Sequence, residues 1–198
     1  GYIVFIQIFD NMWTSIYLTV VLCNILFVFG AKDIFEAVAK SDISAIEQIL
    51  STDSSNQLNK KGPGGQTPLM NAVLSGKIGA VEALLKAGAD VTIPEQDGYT
   101  PMHGAGFQGR AEIAKLLLDH GIPSLDVHSD GYIPMHRACW GQEDRHTDTV
   151  RVFLEAGVPV RYKAENGKTC WQMTKNKETK KLLKTYTAKL SPKSQEDL

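Results

Sequence analysis

The residues with chemistry in their types and spacing stand in four places. Gly104-Ala105-Gly106-Phe107-Gln108-Gly109 has the G-x-G-x-x-G spacing of a phosphate-cradling loop. Such a loop must leave a strand and open a helix, so that its N–H groups face a pyrophosphate. Here the run falls inside a helical pattern and at its closing turn, which argues against a cofactor. His136 and Cys139 are spaced as two ligands on one helical turn. A tetrahedral metal needs a third and a fourth ligand, and no neighbouring segment supplies them. His103 and His136 read as side chains hydrogen-bonded within a turn. Asp144, Arg145, His146 and Asp148 read as a polar loop, or else as a loop that touches a partner. No Ser/His/Asp or Cys/His arrangement stands out for nucleophilic catalysis. No catalytic, cofactor-binding or metal-binding residue is therefore expected, and no enzyme.

The elements that carry these residues repeat. Asp97-Gly98-Tyr99-Thr100-Pro101-Met102-His103 returns 33 positions later as Asp130-Gly131-Tyr132-Ile133-Pro134-Met135-His136. A weaker copy is Gly64-Gly65-Gln66-Thr67-Pro68-Leu69-Met70, and a worn one is Asn166-Gly167-Lys168-Thr169-Cys170-Trp171. A fixed period in the range of about 20–50 residues marks a stacked architecture. Each copy opens a helix; Thr67 is an expected N-cap and Pro68 an expected first helical residue. A second helix follows, carrying Ala80, Val81, Leu84 and Leu85 in one unit and Ile113, Leu117 and Leu118 in the next, and Gly88 is a C-cap candidate. Three extra residues fall in Gly141–Thr149, placed between the two helices of that unit. Before the repeats, Ile34–Val38 and Ile43–Leu50 predict a helix pair, and Ser51 to Gly65 predicts a loop. Each pair has a narrow apolar face and no private core, so it must stack on its neighbours.

These motifs resemble ankyrin repeats, whose pattern D-x-x-G-x-T-P-L-H-x-A shows in Gly65–Ala72, Gly98–Ala105 and Gly131–Ala138, with a tail motif at Gly88-Ala89-Asp90-Val91. The resemblance spans about Asp33 to Tyr186. Its departures are Met70 for the His, Ile133 for the Thr and Cys170 for the Pro. It implies an all-α ankyrin-repeat solenoid of helix-turn-helix units with β-turn fingers, and a concave surface that binds protein. The expected organisation is an apolar segment (1–31), an N-terminal capping repeat (32–61), repeats at 62–96, 97–129 and 130–165, a C-terminal capping repeat (166–186) and a polar tail (187–198). By register, the residue after the turn glycine is Gln66, Tyr99, Tyr132 and Lys168, and the residue two after the helix alanine is Leu74, Phe107 and Trp140. Members of the family contact partners at these positions, so these seven and Gln96 are the expected partner-binding residues.

Net charge is −1, but it is unevenly spread. From Arg161 to Lys193 ten Lys/Arg face only Glu165 and Glu178, a local +8, which leaves −9 for the remainder. Such an end could steer a partner or simply be a solvated helix. Three cysteines without a C-x-x-C make a disulfide framework unexpected. Trp13–Phe29 is nearly all apolar, about 25 Å long as a helix, the short end of a membrane span. Three readings of residues 1–31 stand: a signal anchor, a cleaved signal peptide, or an artefact of the assigned start. The first favours repeats on the cytoplasmic side of a membrane; the others imply a secreted or cytoplasmic chain.

The function expected is non-catalytic protein–protein recognition by a monomer, with no cofactor and no nucleic acid. Two alternatives remain: a membrane-anchored adaptor tethered through residues 13–29, and a fragment of a larger enzyme or channel.

Overall fold

The computed structural model describes residues 33–189. The apolar segment 1–31 and the final residues of the polar tail lie outside this range. Five helix pairs follow one another along it: α1 (Ile34–Lys40) with α2 (Ile43–Gln57), α3 (Pro68–Ser75) with α4 (Ile78–Lys86), α5 (Pro101–Gln108) with α6 (Ala111–Asp119), α7 (Pro134–Trp140) with α8 (Asp144–Glu155), and α9 (Cys170–Met173) with α10 (Lys177–Lys189). The first helices of the pairs pack in one row, α1 on α3 on α5 on α7 on α9. The second helices pack in another, α2 on α4 on α6 on α8 on α10. The described residues hold no strand, only an isolated bridge between Lys163 and Thr169. This is the all-α solenoid that the period implies.

The fingers between pairs share one backbone pattern. The N–H groups of Gly62, Glu95, His128 and Ala164 donate to the carbonyls of Gln66, Tyr99, Tyr132 and Lys168. The N–H groups of Gly65, Gly98, Gly131 and Gly167 donate back to the carbonyls of Gly62, Glu95, His128 and Ala164. Closing so tight a turn takes a positive φ, 91° at Gly98 and 78° at Gly131, which a side chain would oppose. The glycine period in the sequence is therefore the period of one hydrogen-bonded turn.

Helix starts follow their local chemistry. Thr67 Oγ1 accepts from Met70 N–H at 3.2 Å with Pro68 at the first helical position. Asp42 likewise accepts from Ala45 N–H at 3.0 Å. The core lies between the rows and is built from side chains such as Leu69, Leu84, Met102, Leu117, Met135 and Phe153, all fully buried. Each contributes roughly 1.5–3 kcal/mol against the entropy of ordering its unit. Inside α5 a Cβ on Gly106 would run into the Pro134 carbonyl oxygen, so that glycine sets how closely α5 and α7 approach.

Three expectations are corrected. The loop expected over Ser51 to Gly65 is helical as far as Gln57, passing a non-helical residue at Asp53; Asn56 and Gln57 side chains donate to the Asp53 carboxylate and hold the last turn. The polar loop expected around Asp144–Asp148 is the first turn of α8. The three extra residues lengthen that helix to 12 residues, against nine in α4 and α6. It is stable there because His146 and Thr147 are buried: His146 Nε2 donates to the Phe107 carbonyl, and Thr147 bonds Thr179 at 2.7 Å. Cys139 and Cys170, which no sequence spacing pairs, are joined by a disulfide between α7 and α9. Their Cα atoms are 5.6 Å apart, inside the range a disulfide allows, because stacking brings equivalent helices together.

Candidate partner-binding surface

Stacking aligns the fingers and the first-row helices, and a cleft of about 360 Å³ opens between them. Its walls are mainly apolar. Met70 and Leu74 come from α3, Phe107 from α5 and Trp140 from α7, while Tyr99 enters from a finger. Phe107 is 57% exposed and Trp140 39% exposed, both large for apolar rings on a folded chain. Gly104 lines the cleft without a side chain. Of the expected partner-binding residues, the structure brings Leu74, Tyr99, Phe107 and Trp140 into this cleft. Gln66, Gln96, Tyr132 and Lys168 do not line it. Gln66 is half-buried, and Gln96 and Lys168 are exposed on their fingers.

Tyr132 has a supporting place. Its hydroxyl accepts from Asn166 Nδ2 at 2.6 Å, and its ring meets the Trp140 ring edge-on at 5.1 Å. It therefore braces Trp140 from the finger that leads into α7.

The residue that sequence reasoning missed is Arg137. It is 4% exposed, and its guanidinium carbon lies 4.9 Å from the Tyr99 ring centre, 5.0 Å from Tyr132 and 4.7 Å from Trp140. A cation over a ring face is attracted by the ring's quadrupole, more so when desolvated. Arg137 Nη2 donates to both Asp130 carboxylate oxygens at 2.5–2.6 Å, while its Nε is buried without an acceptor. Burial pushes the Asp130 carboxyl up, but hydrogen bonds from Arg137 and His128 overcome this and hold it well below the usual carboxylate range. His128 stacks on the Tyr99 ring at 4.0 Å. One buried cation thus ties two fingers and α7 together and fixes three aromatic rings.

The repeated histidines act as stitches between units. His136 Nδ1 accepts from Ile133 N–H at 3.3 Å, and Nε2–H donates to the Tyr162 carbonyl at 3.1 Å. His103 Nε2–H donates to the Tyr132 carbonyl at 3.3 Å, and its Nδ1 lies 2.9 Å from Thr100 Oγ1. Burial lowers the pKa of both rings, opposed at His103 by Asp126 and at His136 by the Tyr162 carbonyl. Both are therefore held as neutral imidazole. The turn reading covers one ring nitrogen of each; the other crosses to the next unit. The G-x-G-x-x-G glycines are accounted for by packing at Gly104 and Gly106 and by a left-handed helix end at Gly109. Among the described residues no three His, Cys, Asp or Glu side chains group as metal ligands. No helix among them is long and apolar enough to cross a membrane.

A family model described as "Ankyrin repeats (3 copies)" matches residues 34–125 and 94–164. The chain is also similar to the Notch-regulated ankyrin repeat-containing proteins of Xenopus tropicalis, Homo sapiens and Mus musculus. With each it is 35% identical over 65 residues, which is 32% of this chain and 57% of the relative. The chain thus spans little more than half the length of these curated relatives. The residues the family model matches take in the first three fingers, helices α1 to α8 and the cleft between them, and the chain belongs to the ankyrin repeat family.

Proposed function

We infer that this chain is a non-catalytic recognition module whose protein partner seats an apolar side chain in the Met70–Leu74–Phe107–Trp140 cleft. The single observation that carries this reading is the pair of exposed rings, Phe107 and Trp140, on its rim. Ankyrin repeats are in general protein-interaction modules, and a Trp beside a preformed apolar hollow is the kind of group that concentrates interface energy. The volume suits one or two large side chains. Tyr99 contributes wall area, Tyr132 braces Trp140, and Gln66, Gln96 and Lys168 extend the contact along the fingers as a polar margin.

The test is the paired substitution Phe107→Ala with Trp140→Ala in the full chain. Two such anchors at about 1.5 kcal/mol each weaken binding by roughly 150-fold. Phe107 is mostly exposed, and Trp140→Ala gives up its Arg137 contact, worth about 0.5–1 kcal/mol, so the circular dichroism melt falls by only a few degrees and binding is compared well below it. Quantitative interaction profiling of the parent against the double variant should show specific ligands lost. Retention of every parent ligand by the variant rejects the cleft.

The tethered-adaptor reading keeps one observation in its favour, the apolar run Trp13–Phe29. Alkaline carbonate extraction of the full-length protein from cells decides it: release into the soluble fraction removes the anchor.

A further inference from the structure

The C-terminal end of the stack has a second hollow, independent of the cleft. A groove of about 640 Å³ runs between α9, α10 and the turn that precedes the last finger, lined by Val160, Thr169, Trp171, Leu183, Lys184 and Ala188 among others. Its floor is apolar: Val160 and Leu183 are buried under it. Trp171 stands at its edge, 45% exposed, with Lys180 Nζ 5.8 Å from the ring centre.

Charge sets this groove apart. Residues 161–189 carry nine Lys/Arg against Glu165 and Glu178, a net +7, whereas residues 33–160 carry ten Lys/Arg against seventeen Asp/Glu, a net −7. Little of the positive charge is neutralised locally. Lys181 reaches Glu178 only at 3.9 Å, and Lys163, Lys168, Lys175, Lys177 and Lys184 form no ion pair among the described residues. Lys184 lies in the groove wall itself. A solvated helix face accounts for surface lysines, but not for an apolar floor with a half-exposed tryptophan among them. A concentrated field of one sign beside an apolar hollow both attracts an oppositely charged ligand and holds it.

We propose that this groove binds an acidic polypeptide segment carrying an aromatic or aliphatic anchor residue. The anchor lies over Val160 and Leu183 against the Trp171 ring, and carboxylates on either side meet Lys180 and Lys184. The concave shape favours a polypeptide over a bilayer, because Trp171 is more than half covered and Val160 and Leu183 are buried. A single exposed aromatic in the groove also favours it over a nucleic acid strand, which stacks successive bases on several rings.

The experiment is selection of random displayed peptides on the full 198-residue chain, followed by affinity measurement on Trp171→Ala and Lys184→Glu. Lys184 is exposed, so its variant tests the groove even if Trp171→Ala disturbs the last unit, and circular dichroism melts report on both. Expected are acidic peptides with an apolar anchor. Their affinity falls about tenfold or more in each variant, falls with added salt, and for Lys184→Glu returns in part when the peptide's acids are changed to lysine. Phe107→Ala with Trp140→Ala leaves it unchanged. Failure to enrich peptides, enrichment of peptides without acids, or binding to both variants as tight as to the parent overturns the proposal. So does tighter binding of phosphatidylserine vesicles or a single-stranded oligonucleotide than of the selected peptides. Self-association of the chain abolished by Lys184→Glu would assign the groove to a second copy and overturn it as well.

Discussion

Replacing Arg137 should cost stability in an amount that depends on what replaces it. The parent side chain makes three cation–ring contacts at 4.7–5.0 Å, each worth about 0.5–1 kcal/mol at a partly covered site. Its aliphatic stem is buried, worth about another 1 kcal/mol. Against these stands the unmet Nε, which costs about 1–3 kcal/mol. The ion pair adds only about 1 kcal/mol, because Asp130 is 37% exposed and water takes up its carboxylate when the partner leaves. Arg137→Ala therefore loses about 2 kcal/mol. Arg137→Met keeps the stem and sheds the unmet donor, and loses about 1 kcal/mol or less. Crossing Arg137→Met with Asp130→Asn in a double-mutant cycle gives a coupling of about 1 kcal/mol. Urea unfolding followed by far-UV circular dichroism measures all three, with the slopes compared to confirm a common transition. A methionine variant as unstable as the alanine variant refutes the division between stem and charge. Coupling below about 0.3 kcal/mol refutes the claim that Asp130 and Arg137 act as one unit.

Two further outcomes follow from the same geometry. Stability should fall as pH drops from 7 to 5, because the folded pKa values of His103 and His136 lie below the unfolded one; the unfolded chain then binds more protons. At His136 a proton on Nδ1 would also face the Ile133 N–H, so His136→Gln should flatten this part of a melting-temperature-against-pH curve, while Asp130, with its lowered carboxyl, governs the further loss below about pH 4. Reducing the Cys139–Cys170 disulfide, or Cys170→Ser, should lower stability by about 3.7 kcal/mol or less, the chain-entropy value for a sequence separation of 31, read by calorimetry with and without dithiothreitol.

The fold was legible because its signal repeats. A turn that needs a left-handed glycine at Gly98 needs it again at Gly131, and the same two backbone bonds close each finger. The columns Tyr99/Tyr132 and Phe107/Trp140 were legible for the same reason: register alone assigns them one place on successive units. What does not repeat was hidden. Arg137 sits between the histidine and the alanine of its unit, where the other copies have Asn71 and Gly104. Its role depends on Asp130, Tyr132 and Trp140 of its own unit, brought to it by the finger and the helix, and on Tyr99 of the preceding finger, which only stacking brings near. The insertion misled for a related reason. Asp144–Asp148 is polar enough to read as a loop, but its burial is supplied from outside by Asn176, which donates to the Gln142 carbonyl at 2.9 Å, and by Thr179 against Thr147.

The glycine run that has the spacing of a phosphate-cradling loop shapes the candidate cleft instead. A loop that cradles phosphate exposes its backbone N–H groups; here Gly104 and Gly106 lie inside α5, where those groups are spent on the helix. Gly106 lets α7 come close, which carries Trp140 and Arg137 toward α5. Gly104 leaves out a side chain on the face turned to Met70 and Leu74, where even a Cβ would come within 3.2 Å of the Met70 sulfur. A larger residue there would fill the hollow from the floor. The cleft is thus made as much by these two missing side chains as by the rings around it, and the same spacing that resembles a cofactor motif becomes, within a stacked pair of helices, the means of keeping an apolar site open.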